Sequence, residues 1–358
     1  MTQPNSAPIP ALVIGTGFGC RVHVPALRAA GFEVAGLVGS NPGKTGKRAG
    51  QSGIPAWFTD LGEAIAATGA RLVTVATPPH THAALTLTAI ARGCHVLCEK
   101  PFASDAGEAQ AMLDAAERAG IVHMVAHEFR WMPDRALFGR AIAEGLIGEP
   151  RFLAIDQFIP FCADPETPLP RWWFDPAQGG GWLGASGSHM IDQIRAWLGE
   201  WQSVSASLFL VSDRVAGAED SYSLRFATAG GVEGSMQQTA GAWGPMATLW
   251  RCAGNKGTVW AEGGKVFVAD RQGNRQLDVP ADLALPAPPP PDPDPAKRLS
   301  HFEIGPFTRL CEAMRARIER RDAASPVPLP TFRDGLAAMR IIDAIRASSV
   351  QGGALQLL

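Results

Sequence analysis

Val13-Ile14-Gly15-Thr16-Gly17-Phe18-Gly19-Cys20 constrains the fold of this chain more than any other stretch. Ala11-Leu12-Val13-Ile14 is a short apolar run stopped by glycine, the pattern of a parallel strand buried on both faces. Gly15 permits a tight turn, Gly17 lets the backbone approach a pyrophosphate, and Phe18 and Gly19 complete the loop. The stretch through Ala30 reads as a helix whose first N–H groups face that anion. Gly15-x-Gly17-x-x-Cys20 departs from the usual fingerprint at its third position, where cysteine replaces glycine or alanine. Cysteine is still small, so the spacing predicts close helix–strand packing at Cys20. The motif alone is weak, and its context of strand before and helix after is what gives it meaning. A glycine turn in some other α/β protein is the competing reading.

The runs that follow keep the same rhythm. Phe32 to Val38, Leu72 to Ala76, His95 to Cys98 and Ile121 to Ala126 read as strands. Residues 82–92 read as a helix, and Asp105-Ala106-Gly107-Glu108 has capping-box spacing before another that ends at Gly120. Strands alternating with helices predict βαβ units, hence a parallel sheet with helices on both faces. After about residue 130 the pattern changes. Ser203–Val211, Ser221–Ala227 and Val232–Thr239 are strand-like and follow one another directly. Turn signals at 253–257, 262–265 and 272–274 predict hairpins, so the second half is α+β with a large, mostly antiparallel open sheet. Residues 285–296 read as a stiff proline-rich surface loop, and two helices over 302–321 and 332–348 close the chain.

A formal net charge of −2 argues against nucleic-acid binding, which usually shows a basic excess. No apolar run reaches membrane-span length, and the first ten residues lack the basic and apolar regions of a secretory signal. The 6 cysteines show no metal-ligand spacing with a second cluster. No metal and no membrane are therefore expected, and the cysteines fit a cytoplasmic protein with reduced thiols.

The end of the second strand bears on the cofactor. NAD proteins usually carry Asp or Glu there for the ribose hydroxyls. This chain has Gly39-Ser40-Asn41-Pro42-Gly43-Lys44. Ser40 and Asn41 can donate hydrogen bonds and Lys44 adds charge, so NADP is expected, with NAD possible. A merely solvated helix face is the competing account of the lysines. Glu99-Lys100-Pro101 closes the strand ending at Cys98, on the carboxyl edge that binds ligands in such sheets. A lysine there can hydrogen-bond a substrate hydroxyl and take or return its proton. His189 and Asp192 lie three apart after a Gly/Ser-rich run, on one face of a helix. Histidine can exchange a proton near neutral pH. A surface lysine and a packing histidine are the structural alternatives.

VIGTGFGCRVHVPAL, VATPPHTHAAL, GCHVLCEKPFA, GGGWLGASGSHMID and TFRDGLAAMRIIDAIRAS, in this order, resemble the glucose–fructose oxidoreductase / inositol dehydrogenase family (Gfo/Idh/MocA type). The resemblance implies a Rossmann domain over residues 1–128. It implies an α+β domain over 129–358 for substrate binding and oligomerisation, with the last helix packing back on the first. It also implies NAD(P)-linked hydride transfer to or from a sugar-like or cyclic hydroxy/keto compound, in a homodimer or homotetramer. Lys100 and His189 match the family's catalytic lysine and histidine. Gly15 and Gly17 match the cofactor loop, and Thr77, Pro78, His82 and Glu99 match positions lining nicotinamide and ribose. Asp192 matches a position that touches substrate or holds the helix.

One departure stands out. Family dehydrogenases commonly carry aspartate four residues before the histidine, where this chain has Ala185. Either Lys100 and His189 suffice, or another carboxylate such as Glu128 enters the site, or the chemistry differs. The last case leaves two alternatives: a cofactor-retaining enzyme of elimination type, or a non-enzymatic NADP-binding regulator. Glu128, Arg130 and Trp173 are the further candidates for substrate contact. Trp131, Trp172 and Trp182 cluster with Trp173 near the same motifs, where aromatic faces can line a pocket.

Overall fold

The computed structural model describes residues 8–214, 217–285, 301–321 and 324–358. The proline-rich loop expected over 285–296 lies outside these residues, apart from Leu285. The first apolar runs form strands β1 (Ile9–Ile14), β2 (Phe32–Val38), β3 (Trp57–Phe58), β4 (Leu72–Val75), β5 (His95–Cys98) and β6 (His123–Val125). They pair in parallel in the order β3-β2-β1-β4-β5-β6. Helices α1 (Val24–Ala29), α2 (Pro42–Gln51), α3 (Leu61–Thr68), α4 (His82–Ala91) and α5 (Ala106–Ala119) connect them. The order reverses between β1 and β4, and right-handed crossovers then place helices on opposite faces. That reversal opens a crevice at the carboxyl ends of β1 and β4, where ligands bind in such sheets.

Local chemistry sets the helix ends. Asp105 accepts a hydrogen bond from the Glu108 N–H at 2.9 Å, and Gly120 ends α5 at a φ of 61°. The Glu108 carboxylate reaches one residue further back than a capping box requires, to the Ser104 N–H at 3.0 Å.

Beyond Trp131 the chain forms α6 (Pro133–Ala143) and β7 (Pro150–Phe158), neither expected from the sequence, then α7 (Ser188–Leu198). Strands β8 (Trp201–Phe209), β9 (Ser221–Thr228), β10 (Glu233–Thr239), β11 (Ala247–Gly254), β12 (Thr258–Glu262), β13 (Lys265–Asp270) and β14 (Gly273–Leu277) follow. Helices α8 (His301–Ile318) and α9 (Phe332–Val350) and strand β15 (Gln356–Leu357) complete the described chain. The nine strands form one sheet in the order β14-β13-β12-β11-β7-β10-β9-β8-β15. Every pair is antiparallel except β7 with β10. Gly263 and Gly264, at φ 56° and 74°, make the tight two-residue turn between β12 and β13. Leu153, Ile155, Leu224, Met236, Trp250 and Val259 are buried along the sheet, whereas Phe152, Phe158 and Leu249 are exposed.

The last two long helices return to the first sheet. The Phe307 ring on α8 lies tilted against His23, with ring centroids 4.3 Å apart. Phe332 at the start of α9 lies 4.5 Å from the Phe102 ring. A Cβ at Gly335 would stand 2.6 Å from Phe102 and 2.7 Å from Val125, so α9 needs a glycine to come this close. Among the described residues no helix is long and apolar enough to cross a membrane.

Candidate active site

The glycine loop joins β1 to α1. Gly15 has a φ of +119°, and a Cβ there would stand 2.1 Å from the Ala76 carbonyl oxygen. Only glycine tolerates both conditions. Nothing lies within 4 Å of the place a Cβ would occupy at Gly17. That open space beside free backbone fits a pyrophosphate at the crevice. The close helix–strand approach falls at Gly19, not at Cys20 as the fingerprint spacing predicted. A Cβ on Gly19 would lie 2.8 Å from Val13 Cγ1, while Cys20 is half-buried with Sγ 4.0 Å from the Gly15 carbonyl. The reason is a π-turn over Gly19–His23, which carries the chain into α1 one residue out of the expected phase. Phe18 is half-buried, with its ring edge-on to His23.

At the end of β2, a Cβ on Gly39 would meet Thr45 Oγ1 at 2.6 Å and Thr16 Cγ2 at 2.7 Å. An acidic side chain has no room there. Asn41 caps α2, its Oδ1 accepting from the Lys44 N–H at 2.9 Å. Ser40, Asn41 and Lys44 are all exposed.

Two buried histidines hold the next two loops. His82 lies between the Thr77 carbonyl at 2.8 Å and the Pro101 carbonyl at 3.1 Å. It is wholly buried, so it ties the two loops together and does not itself line the crevice as expected. Burial holds its pKa below the usual histidine value, so the neutral ring donates to one carbonyl at a time. Thr77 and Pro78 are half-buried, and the Thr77 hydroxyl shares a hydrogen bond with Thr81 at 2.6 Å. Glu99 is buried and paired with His23 at 3.0 Å. Burial alone would raise its pKa, but His23 and then Lys100 pull it below the usual carboxylate value. Glu99 therefore anchors the lysine loop to the glycine loop.

Lys100 follows the carboxyl end of β5, and its Nζ donates to the Ala185 carbonyl at 2.8 Å. Ala185 sits in a second π-turn, Leu183–Gly187, that leads into α7. Ser186 within this turn accepts from Gln238 Nε2 at 3.0 Å, and Gln238 also accepts from the Tyr222 hydroxyl at 2.8 Å. The large sheet thus fixes the carbonyl that holds Lys100. His189, at the start of α7, is buried and stacked on Phe129 at 4.1 Å. Its Nε2 lies 4.0 Å from Glu128 Oε1. Burial, then Lys100, His127 and Arg135, hold the His189 pKa well below the usual value. Burial, then Glu99 and Glu303, push Glu128 well above the carboxylate range. Both shifts run toward the uncharged form of each group.

Of the two roles the resemblance allows Asp192, touching substrate or holding the helix, its pairing with Arg130 supports the second. Arg130 Nε and Nη2 donate to Asp192 at 2.7 and 2.6 Å, Nη2 also reaches Asp334 at 2.9 Å, and Nη1 reaches the Pro328 carbonyl at 3.0 Å. Both side chains are buried in this cluster, which ties α7 to α9. Trp173 is half-buried and edge-on to Trp182 at 5.6 Å and to Trp172 at 6.2 Å. His23 and Glu303 were missed from sequence. Glu303, on α8, shares the charge field of Lys100 and Glu99, and burial moves its pKa up to about 7. Its only sequence signal was a place near the start of a helix, which says nothing of where that helix docks.

This geometry defines a dinucleotide-fold protein whose second domain supplies a histidine across the crevice from a strand-end lysine. The chain belongs to the Gfo/Idh/MocA family: residues 9–127 match the model described as "Oxidoreductase family, NAD-binding Rossmann fold", and residues 138–260 match that of the GFO/IDH/MocA C-terminal domain. Among curated relatives, levoglucosan dehydrogenase of Pseudarthrobacter phenanthrenivorans is 40% identical over 138 residues, covering 38% of this chain and 35% of that protein. D-apiose dehydrogenase of Paraburkholderia graminis is 30% identical over 212 residues, covering 58% of this chain and 54% of that protein. The matches thus span between about a third and half of these relatives. A solved structure of levoglucosan dehydrogenase with NADH and levoglucosan superposes with a TM-score of 0.84 at 26% identity, covering 98% of this chain and 99% of that one.

Proposed function

We propose that this chain is a nicotinamide-dependent oxidoreductase acting on a sugar-like or cyclic hydroxy/keto compound. The observation that carries the reading is Lys100 Nζ, held by the Ala185 carbonyl at the carboxyl edge of the first sheet, with His189 facing it from the second domain. When bound, the nicotinamide supplies or accepts the hydride. Lys100 takes the hydroxyl proton in oxidation and returns it in reduction, while His189 orients the same oxygen. Gly15, Gly17 and Gly19 shape the loop for the pyrophosphate. Trp173 and its aromatic neighbours give the second domain an apolar wall for a ring.

NADP is the proposed cofactor. The crowding at Gly39 leaves no space for a ribose-binding acid, and Ser40 and Lys44 are exposed where a 2′-phosphate would lie. The apolar outer face carrying Phe152, Phe158 and Leu249 fits a homodimer or homotetramer. Calorimetric titration with both cofactors, followed by a panel of sugars and cyclitols monitored by nicotinamide absorbance, tests the reading. At least tenfold tighter binding of NADP(H), about 1.4 kcal/mol, is expected. Equal affinity or a preference for NAD(H) removes the NADP assignment. Turnover without net absorbance change points instead to a cofactor-retaining enzyme of another class.

A further inference from the structure

We propose that Phe129 is the positioning residue of His189: its ring holds the plane of the imidazole, and Arg135 and Gln193 in turn hold Phe129. The proposal rests on the oxidoreductase reading above, in which His189 meets the substrate oxygen.

His189 lacks the hydrogen bond that usually fixes such a ring. Nδ1 is buried without a partner, and Nε2 lies 4.0 Å from Glu128 Oε1, beyond hydrogen-bond reach. Ala185 offers only a methyl group, and its carbonyl already accepts from Lys100 Nζ at 2.8 Å. An imidazole without hydrogen bonds is oriented by what packs against its face and edge. His127 supplies an edge contact, with centroids 5.8 Å apart and planes at 74°. Phe129 supplies the face, with centroids 4.1 Å apart and planes only 21° from parallel. The parallel contact is the one that sets the plane, because turning about χ2 would drive an imidazole edge into the phenyl face.

Phe129 is itself held from two sides. It lies in the short turn Glu128–Trp131 after β6, and its carbonyl accepts from Gln193 Nε2 at 3.0 Å. Gln193 and His189 are four apart on α7, so the helix that carries the imidazole also fixes the backbone of the ring stacked on it. The Arg135 guanidinium lies over the Phe129 ring, 4.5 Å from its centroid, and over the Trp250 ring on β11, 4.7 Å away. A cation over an aromatic face is attracted by the ring quadrupole, and a flat guanidinium also stacks there. Arg135 Nη1 donates to Gln193 Oε1 at 2.9 Å, which closes the circuit of Gln193, Phe129 and Arg135. Trp250 is buried in the large sheet. The series Trp250, Arg135, Phe129, His189 thus carries the rigidity of that sheet to the imidazole.

Phe129→Leu and Phe129→Tyr separate positioning from packing. Leucine keeps apolar bulk without a flat face, and tyrosine keeps the face. Phe129 is half-buried, so either side chain can be accommodated. In crystal structures of the two variants, the imidazole should leave its plane in Phe129→Leu and keep it in Phe129→Tyr. Misplacement of about 1 Å costs on the order of 100-fold, so kcat should fall by about that in Phe129→Leu, with KM and cofactor Kd within about threefold of wild type. Phe129→Tyr should keep kcat within about threefold. An unmoved imidazole in Phe129→Leu overturns the proposal, as does an equal kcat in the two variants. A loss confined to KM overturns it as well, by placing Phe129 against the substrate. The crystallographic comparison needs no turnover, so failure to find a substrate counts against the proposed function, while the imidazole plane still decides this proposal.

Discussion

Asp192→Asn removes one charge from the buried cluster of Arg130, Asp192 and Asp334 while keeping the side-chain volume. Wild-type Asp192 accepts two short bonds from Arg130, at 2.7 and 2.6 Å, with both groups buried. An amide can accept only through its oxygen, and its NH2 then faces a guanidinium donor. Breaking a buried pair by altering one partner costs about 3–5 kcal/mol. Asp334 still contacts Arg130 at 2.9 Å and keeps the cation partly compensated, which places the cost near the lower end. A loss of about 3 kcal/mol raises the unfolded fraction on the order of 100-fold. Urea unfolding followed by tryptophan fluorescence measures it, with an expected midpoint shift of ~1 M at a slope of roughly 3 kcal/mol/M. Folded Asp192→Asn protein should keep most of its substrate affinity. A variant within ~1 kcal/mol of wild type that has nonetheless lost substrate affinity would refute the structural role and return Asp192 to the substrate contacts.

Lys100→Met should lower the single-turnover rate of hydride transfer by on the order of 100- to 10,000-fold, with cofactor affinity within about twofold of wild type; an unchanged rate would remove Lys100 as proton carrier. Gly15→Ala should abolish cofactor binding in calorimetry, because its Cβ would stand 2.1 Å from the Ala76 oxygen at a φ of +119°; wild-type affinity would show that the loop adapts. Burial alone would raise the Asp334 pKa, but Arg130 and then Arg195 hold it at about 2, below its usual 3.8. Its contribution of about 2 kcal/mol is present above pH ~4 and is lost as pH falls through 2, so Asp334→Asn should lose that part of the acid-unfolding slope. His127 and His189, both lowered first by burial, should add a milder loss of stability as pH falls below 6.5, because the unfolded chain takes up their protons first; His127→Phe should flatten that region in a pH series of melts.

The first sheet was legible because strands buried on both faces read as uninterrupted apolar runs, and Phe32–Val38 and His95–Cys98 formed with the expected bounds. β3, only Trp57–Phe58, is too short to leave a period. β7 escaped notice because its inward side includes Gln157, which bonds Gln238 at 2.7 Å and breaks the apolar alternation. Lys100, His189 and Glu128 could be named from motif and position. Arg130 and Asp192 could be named as well, but their mutual bond spans 62 positions and no local pattern announces it. Glu303 enters the site only because α8 docks beside His23, a matter of tertiary packing.

The segment around α9 has a further consequence for how the molecule is made. Val125, at the end of β6, donates its N–H to the Pro330 carbonyl at 2.9 Å, and the Phe332 N–H bonds His123 at 3.2 Å. β6 is the outer strand of the first sheet, so its edge is closed by residues synthesised roughly 200 positions later. At about 5–20 residues per second, a ribosome needs some 10–40 seconds to cover that interval. Through that time the nascent nucleotide domain carries an open strand edge and an uncovered Phe102. Slower translation of the second half should therefore lower the soluble yield of this protein, and supplying residues 324–358 in trans should restore part of it.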